Sequence, residues 1–462
     1  MKMRRGGHSL TWDFSDERAF EIYDLDPEEW HQLEEMARKA NAGSGANLDD
    51  LLYARVLSPD KQGIGDAWDE LVDKILAYLE LEGHLPRPMQ FKLHQKALKD
   101  ILANLVAASS QDPKLYVRFS RREGDLDGFP FKPKIRLVNA LEKAGFIVYR
   151  RGEYDHDKNK GRQSRMRATE KLGAMLLEVD ASPSSIVIQH PPVLIKDEQG
   201  TYREPKPSMR ARDMARKVMR INEALLAQEV GMDLPAGMPA PHTPNSRLPL
   251  DTTRRLVCRI FADQGLKLGG RFYRHWAQEM KREYRPYLTL NGEPTVELDF
   301  GCCHPSMLHA EAGLPARADA YELPGVPRDL AKAAFSVLLF HDREGTAPHA
   351  MFNSAKDKGF DITYEDGRKI LAMMRAHHPA IEDYFFKGHS LRLQYKDSCI
   401  AEEIMFILIR DGIPFLPIHD SFIVPKRHES ALGHYMNDAY CKHVGQHPII
   451  KRKEAPAPGS TS

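Results

Sequence analysis

The sequence of 462 residues predicts an α+β fold, in which an α-rich N-terminal half precedes a core built on an antiparallel sheet. Apolar residues recur at helical spacing through 68–81 and 90–108, which indicates two long N-terminal helices. In the C-terminal half, two short apolar runs flank a polar tip, a pattern typical of a β-hairpin. A hydrophobic share of 42% and a charged share of 28% are those of a globular protein, and this length suits two or three domains.

The predicted hairpin joins the apolar runs 413–418 and 422–424 through His419, Asp420 and Ser421. Two strands that are packed from behind would hold the Asp420 carboxylate at the tip, where a metal ion can reach it. An Asp in a turn is more often only solvated, so Asp420 alone does not predict a metal site. The prediction depends on a second carboxylate elsewhere in the chain.

A second strand is predicted at 295–300, where polar and apolar residues alternate. The apolar face carries Val296, Leu298 and Phe300, and the opposite face carries Thr295, Glu297 and Asp299. On adjacent strands, Asp299 and Asp420 can hold two Mg²⁺ ions. Such a pair of ions stabilises both the attacking and the leaving oxygen in phosphoryl transfer.

Between the two carboxylates, 327–340 predicts a helix with Pro327 in its first turn. Four side chains spaced by four residues form a stripe on that helix: Arg328, Lys332, Ser336 and Phe340. Two cations followed by an aromatic ring suit a triphosphate and a nucleobase. The alternative is a basic first turn on an otherwise buried helix.

In their order along the chain, these features resemble motifs A, B and C of the family A DNA polymerases and the single-subunit phage RNA polymerases. The matching residues are Asp299 for motif A, Arg328, Lys332 and Phe340 for motif B, and His419 with Asp420 for motif C. Phe340 stands where the family usually has Tyr. The resemblance implies a right-hand polymerase palm with an antiparallel sheet. It also implies small helical fingers, since the interval between motifs A and B is shorter than usual.

Two further elements extend the resemblance over roughly residues 255–426. One is the Gly-Gly-Arg segment 269–271, and the other is an amphipathic helix that opens with Gln394 and Asp397 and precedes motif C. The residues implied to bind the incoming nucleotide are Arg328, Lys332, Phe340 and His304, and those implied to bind primer or template are Arg271, Gln394 and His419.

The sequence departs from the DNA polymerases at two positions. Ser421 follows the His-Asp pair, where DNA polymerases usually have Glu, and in this it resembles the phage RNA polymerases. His304 stands five residues after Asp299, where DNA polymerases place a Glu that blocks a ribose 2′-hydroxyl. An imidazole can either obstruct that hydroxyl or hydrogen-bond to it, so the choice between dNTP and NTP substrates stays open.

A basic segment in the N-terminal half resembles a winged helix. Residues 131–171 hold twelve Lys and Arg against five Asp and Glu, and they predict a helix, a strand, a polar loop and a returning strand. The arginines expected to contact DNA from the wing are Arg150, Arg151, Arg162, Arg165 and Arg167. A winged fold that mediates protein contacts, or a solvated basic hairpin, is the alternative.

The predicted organisation has five parts: a helical N-terminal region (1–110), the winged-helix-like segment (111–180), a connecting region and linker (181–250), the palm and fingers (251–450) and a disordered tail (451–462). No apolar run reaches the roughly 20 residues of a membrane helix, and no signal peptide is apparent. Five cysteines without zinc-ligand spacing are expected to be reduced thiols, which predicts a cytoplasmic protein.

The combined expectation is a nucleotidyltransferase that copies a template by two-metal phosphoryl transfer during replication of a phage or mobile element. Its cofactors would be two Mg²⁺ ions, which Mn²⁺ can replace, and its partners DNA and nucleoside triphosphates. One alternative is a DNA-binding replication or control factor with an inactive polymerase-like core, marked by Ser421 and the short fingers. Another is a metal-dependent phosphohydrolase that uses the two carboxylates with His304, His309 and His419.

Overall fold

The computed structural model describes residues 53–85, 91–121, 131–155, 160–179, 181–243, 246, 248–317, 319–341 and 343–453. The chain has mixed α and β structure, as predicted, with an N-terminal body that precedes a larger core. A helix start expected at 26–29 lies outside the described residues.

The N-terminal body packs four helices around a small sheet. Its helices are α1 (Asp66–Leu81), α2 (Phe91–Gln111), α3 (Phe131–Lys143) and α4 (Glu170–Glu178). Its strands are β1 (Ala54–Val56), β2 (Lys61–Gly63), β3 (Tyr116–Phe119), β4 (Ile147–Arg150), β5 (Glu153–Asp155), β6 (Lys160–Arg162) and β7 (Ser164–Ala168). The two long helices predicted at 68–81 and 90–108 are therefore present as α1 and α2.

The sheet of the N-terminal body has the order β1-β3-β7-β4, with β1 parallel to β3 and the other pairs antiparallel. β5 and β6 form a separate hairpin between β4 and β7. The predicted order of helix, strand, basic hairpin and returning strand is thus found in α3, β4, β5–β6 and β7. The winged-helix assignment itself stays a prediction.

The core is larger and contains most of the remaining elements. Its helices are α5 (Met209–Ala227), α6 (Trp276–Glu279), α7 (Cys303–Glu311), α8 (Arg328–Phe340), α9 (Ala347–Asp357), α10 (Tyr364–His377), α11 (Ser390–Arg410) and α12 (Glu429–Val444). The strands from 186 onward are β8 (Ile186–Ile188), β9 (Val193–Lys196), β10 (Tyr202–Arg203), β11 (Val230–Met232), β12 (Cys258–Phe261), β13 (Gly269–Tyr273), β14 (Leu288–Leu290), β15 (Glu293–Phe300), β16 (Leu416–Ile418), β17 (Ser421–Pro425) and β18 (Ile450–Lys453).

The central sheet has the order β11-β14-β15-β17-β16, and β18 also pairs with β15. Both faces of β15 are covered. Val296, Leu298 and Phe300 join the main apolar cluster with α8, α11 and α12, while Thr295 and Glu297 are buried on the other face. A smaller cluster that includes Trp276, Leu288, Leu416, Ile418 and Ile423 covers that second face. Because the sheet is packed on both sides, its strand ends have little freedom to move.

The helices α8, α9 and α10 pack against one another beside the sheet. The buried side of α8 is apolar and includes Leu330, Ala331, Ala334, Phe335 and Leu338. The helix begins at Arg328, directly after Pro327, and ends at Phe340, as the sequence predicts. These helices lie between the two carboxylates along the chain, and their assignment as small helical fingers stays a prediction.

Two predicted boundaries differ from the structure. Residues 181–250 are not only a connection, because β9 pairs with β12 and α5 places its apolar face in the core cluster. Within the expected disordered tail, 451–453 belong to β18, which pairs with β15 along four residues, and 454–462 lie outside the described residues. Both differences arise because strands that are far apart in sequence pair with each other. The local amino-acid composition does not indicate such pairing.

A buried ion pair joins the N-terminal body to the core. Lys61 Nζ lies 2.9 Å from Asp251 Oδ2, and Arg55 Nη1 lies 4.0 Å from the same oxygen. Burial alone would raise the pKa of Asp251, but Lys61, Arg55 and Arg254 hold it below its ordinary value. Removing one partner would leave a buried charge uncompensated, so this contact fixes where β2 meets the start of the core.

Candidate functional site

The two predicted carboxylates lie side by side at one end of the central sheet. Asp299 is the penultimate residue of β15, and its Cα partner on β17 is Ser421, the residue after Asp420. Asp420 occupies the two-residue turn between β16 and β17, in which His419 has a positive φ of 58°. A left-handed conformation is costly for a residue other than Gly, and such strain is often found at functional sites.

The electrostatics of Asp299 reflect this proximity. Burial raises its pKa, the negative charge of Asp420 raises it further, and the nearby Lys453 opposes both, so that the pKa is about 6. Two adjacent carboxylates favour the binding of a cation. Hard oxygen donors with excess negative charge fit Mg²⁺, whose remaining ligands would come from water and substrate phosphate. In the part of the chain that the structure describes, no group of three or more His, Cys, Asp or Glu side chains is arranged to hold a metal.

A lysine that the sequence did not single out contacts Asp299. Lys453 on β18 forms an ion pair with Asp299 Oδ2. The register places Lys451 opposite Asp299 and Lys453 opposite Glu297, so both lysines lie on the face that carries the carboxylates. The only local signal for this strand is the apolar pair 449–450 before the basic run, which is too short to predict a strand.

Ser421 and Glu297 hold the hairpin in place from the buried side. Ser421 Oγ lies 2.7 Å from Glu297 Oε1 and 3.2 Å from the carbonyl oxygen of Ile418. Arg285 Nη1 lies 3.3 Å from the same Glu297 oxygen. The hydroxyl therefore ties the residue beside Asp420 to the strand that carries Asp299. Glu297 accepts this hydrogen bond from Ser421. The alternation of polar and apolar residues along the strand did not predict this role.

A second polar group surrounds the buried carboxylate of Asp397 on α11. Arg271 Nε lies 3.1 and 3.0 Å from its two oxygens, and His304 Nε2 lies 2.8 Å from Oδ2. Burial alone would raise the pKa of Asp397, but its bonds to His304 and Arg271 hold it below the ordinary value. The imidazole donates from Nε2, since a carboxylate can only accept.

Arg271 also connects this group to the carboxylate pair. Burial opposes its charge, but Asp397 and, more remotely, Asp420 hold its pKa above the ordinary value. The preceding glycine is required by packing, because a Cβ on Gly270 would lie 2.5 Å from the ring of Phe261. Gly270 also has a positive φ of 82°. The Gly-Gly-Arg segment thus lets β13 approach β12 closely and delivers Arg271 to the site.

The other residues implied to bind primer or template lie nearby. The ring of His419 packs against Tyr273, with a centroid distance of 5.3 Å. Gln394 is half-buried on α11, one turn before Asp397. The structure therefore places Arg271 and His419 beside the carboxylates, and Gln394 on the helix that anchors Arg271.

The predicted stripe lies on the exposed side of α8. Arg328, Lys332 and Phe340 are exposed and Ser336 is partly exposed, which agrees with the spacing of four. Arg328 Nε lies 2.8 Å from Asp319 Oδ2, and its guanidinium stacks 5.3 Å from the ring centroid of Tyr321.

Tyr321 links the stripe to the carboxylate pair. Burial raises the pKa of its phenol well above the ordinary value, and Cys302, Cys303 and Asp420 raise it further. Asp420 therefore acts electrostatically on the residue that stacks on Arg328. The geometry agrees, because Cys302, three residues after Asp299, lies 3.7 Å through its Sγ from Oδ1 of Asp319, the carboxylate that pairs with Arg328.

His309, a ligand in the phosphohydrolase alternative, is not at this site. Its Nε2 lies 3.2 Å from Nδ1 of His378, whose Nε2 lies 2.8 Å from the carbonyl oxygen of Ala320. Both rings are buried. His304 is bound to Asp397, so of the three histidines in that alternative His419, next to Asp420, is the one that lies beside the carboxylates.

The predicted DNA-binding arginines divide into two groups. Arg150 and Arg151 are exposed, and Arg167 lies over the ring of Tyr116 at 5.3 Å. The prediction for Arg165 is wrong, because this residue is buried opposite Arg118 in the β3–β7 pair and cannot reach a phosphate. Arg162 lies on β6, and its side chain is outside the described part.

No protein-family model matches the sequence, and no curated protein matches it. Among solved structures, the chain is similar to one described as the POL domain of Pol1 from M. smegmatis in complex with DNA primer-template and dNTP. This likeness has a TM-score of 0.25 and 10% sequence identity, and it covers 93% of this chain and 89% of that chain. A TM-score this low carries no inference. Of the helices described, none is long and apolar enough to cross a membrane.

Asp299→Asn should stabilise the metal-free protein at pH 8 by about 2 kcal/mol, since it removes a buried anion whose ionisation is disfavoured. The pKa of Asp299 rises from 3.8 unfolded to about 6 folded, so the wild type loses this stability as pH increases from about 4 to 6. Urea denaturation of both proteins should give a difference near zero at pH 4 that grows to its full value above pH 6.

The matched control is Asp438→Asn, an exposed carboxylate on α12, which should change stability by less than about 0.5 kcal/mol at either pH. A destabilised Asp299→Asn protein at pH 8 would mean that the pair with Lys453 outweighs the repulsion from Asp420.

Proposed function

We propose that the protein is a template-directed nucleotidyltransferase that extends a primer on DNA by two-metal phosphoryl transfer. The observation that supports this most directly is the position of Asp299 and Asp420, adjacent at the end of a doubly packed antiparallel sheet. The cationic start of α8 lies in the same neighbourhood, which suits a ligand with a polyphosphate. The resemblance to the three polymerase motifs agrees with this arrangement.

Asp299 and Asp420 would hold two Mg²⁺ ions, which when bound supply charge stabilisation to the primer 3′-hydroxyl and the leaving pyrophosphate. The turn at His419 and the Ser421–Glu297 bond keep the two carboxylates in a fixed relation. Such preorganisation lowers the reorganisation needed during the reaction. Arg271 and His419 would orient the primer terminus from the side of Asp397.

The exposed stripe on α8 would bind the incoming nucleotide. Lys332 and Arg328 would neutralise the phosphates, with Arg328 exchanging Asp319 for a phosphate oxygen. Phe340 would stack on the new base pair, an interaction that tolerates any base. His304, held by Asp397 near Arg271, would face the sugar, and its partner fixes Nε2 as a donor.

Primer extension tests this function. Purified protein should extend a labelled primer with dNTPs or NTPs on a DNA or RNA template in the presence of Mg²⁺, and a reaction without primer shows whether it can initiate. Asp299→Asn and Asp420→Asn should each reduce incorporation by at least about a thousandfold, because each removes an anionic oxygen from the metals.

Asp438→Asn serves as the matched acidic control and should retain activity. Near-normal extension by either site variant would show that Asp299 and Asp420 do not both hold the catalytic metal ions. Binding of DNA by the wild type without any incorporation would instead support the inactive replication factor.

Lys332→Ala should lower kcat and raise the KM for nucleotide together, because its contact with the triphosphate strengthens as charge moves to the leaving pyrophosphate. We expect a loss of about a hundredfold in kcat/KM, with primer–template affinity nearly unchanged. Steady-state kinetics of single-nucleotide addition measure this. Lys356→Ala, an exposed lysine on α9, should behave as wild type, and equal effects of both changes would make Lys332 a plain surface residue.

Changing Arg150 and Arg151 together to Ala should weaken DNA binding and reduce the slope of log Kd against log salt by about two, one for each lost phosphate contact. Fluorescence anisotropy with a DNA duplex between low and moderate salt measures the slope. Lys74→Ala is the control, since that lysine is already paired with Glu70 and Glu178. An unchanged slope in the double variant would assign the basic hairpin to another partner.

A further inference from the structure

The C-terminal strand β18 brings a lysine into the carboxylate site. Its backbone pairs with β15 from Phe300 to Glu297, and its register turns Lys453 toward the face that carries Asp299. The Lys453 ammonium contacts Asp299 Oδ2, with side-chain exposures of 29% and 17%. This contact is half-sheltered from solvent, so water screens it only in part.

The other cations around the site are engaged elsewhere. Arg271 is bound to Asp397, and Arg285 contacts Glu297. Lys451 lies opposite Asp299 in the register, and its charge lowers the pKa of Cys302 and Asp319. Among the described residues, Lys453 is therefore the cation in direct contact with Asp299.

An ammonium and a divalent cation compete for one carboxylate oxygen. Mg²⁺ binds oxygen at about 2.0–2.1 Å. A lysine nitrogen bonded to the same oxygen would lie within a few Å of the metal, where the two positive charges repel. Binding of a metal ion to Oδ2 is therefore favoured when the lysine moves away from it.

We propose that Lys453 is a positioning residue that holds Asp299 in the metal-free protein and competes with a divalent cation for Oδ2. The inference rests on the function proposed above, since it takes Asp299 as a metal ligand. According to this proposal, β18 influences the affinity of the site for metal ions, although this strand lies outside the three motifs.

The structure allows this exchange without disturbing the fold. The backbone of β18 is fixed by its pairing with β15, and Arg452, on the opposite face, contacts Glu429 at 3.3 Å. Only the flexible side chain of Lys453 has to move. Moving this side chain breaks its ion pair with Asp299. A metal ion that displaces Lys453 must therefore gain more free energy at Oδ2 than the ion pair contributes.

Binding of Mn²⁺ alone to the full-length protein at pH 8, without nucleotide, tests the proposal. Free Mn²⁺ is measured by electron paramagnetic resonance. Lys453→Met should bind Mn²⁺ about five-fold more tightly than wild type, the factor expected when a partly exposed ion pair no longer competes. Lys453→Arg should bind about two-fold more weakly, because a guanidinium holds a carboxylate bidentately.

Arg452→Met is the matched control, since it alters the same strand on the other face and should leave Mn²⁺ affinity unchanged. Thermal unfolding establishes that each variant is folded. If Lys453→Met does not fold, the Mn²⁺ affinity of Lys453→Arg tests the proposal by itself. A Met variant that binds no more tightly than wild type, or an Arg variant that binds more tightly, overturns the proposal.

Asp299→Asn separates this inference from the proposed function. If Asp299→Asn loses Mn²⁺ binding but Lys453→Met does not tighten it, the metal site stands and only the inference about Lys453 fails. If Asp299→Asn binds Mn²⁺ as the wild type does, or if neither wild type nor Lys453→Met binds it, the two-metal function fails as well.

Discussion

The structure of the site depends on the repulsion between two carboxylates, Asp299 and Asp420, that are held next to each other at the end of a sheet. Burial of Asp299 and, after it, the negative charge of Asp420 raise the pKa of Asp299 to about 6 even though Lys453 opposes both, so the fold disfavours its ionisation. A protein keeps such a cost where function requires it. The neighbouring contacts can be understood as the means by which the fold tolerates it.

Those contacts act through packing as well as charge. The sheet is covered on both faces, so β15 and β17 cannot separate to relieve the repulsion. On the buried side, the hydrogen bond from Ser421 to Glu297 fixes the hairpin against β15. At the opposite edge, β18 supplies Lys453. The short hydroxyl of Ser421 therefore fits a buried position that already contains the carboxylate of Glu297.

The sequence predicted those parts of the site that local periodicity encodes. Alternation located the strand of Asp299, apolar runs located the hairpin of Asp420, and a spacing of four located the stripe that begins at Arg328. It failed where contacts between distant segments decide the outcome. Nothing local indicates that 451–453 pair with β15, or that Arg165 faces Arg118 in the interior. Asp397 shows the same limit, since its role as the common partner of Arg271 and His304 arises only when α7, α11 and β13 meet.

The distribution of charge favours one class of ligand over the alternatives. The carboxylate pair Asp299 and Asp420 is the anionic half of the site, with Lys453 in contact with Asp299, while the exposed face of α8 presents Arg328 and Lys332. A phosphohydrolase needs only the anionic half with additional metal ligands, yet His309 is bonded to His378 and His304 to Asp397. The metal-bound nucleoside triphosphate that we propose as substrate would be complementary to both halves, since its cations would bind the carboxylates and its phosphates would bind the helix. Arg328 is held by Asp319 until such a ligand binds, just as Asp299 is held by Lys453. Arg328 and Asp299 thus each have an internal partner, and binding of the proposed substrate would exchange those two partners for its phosphates and metal ions.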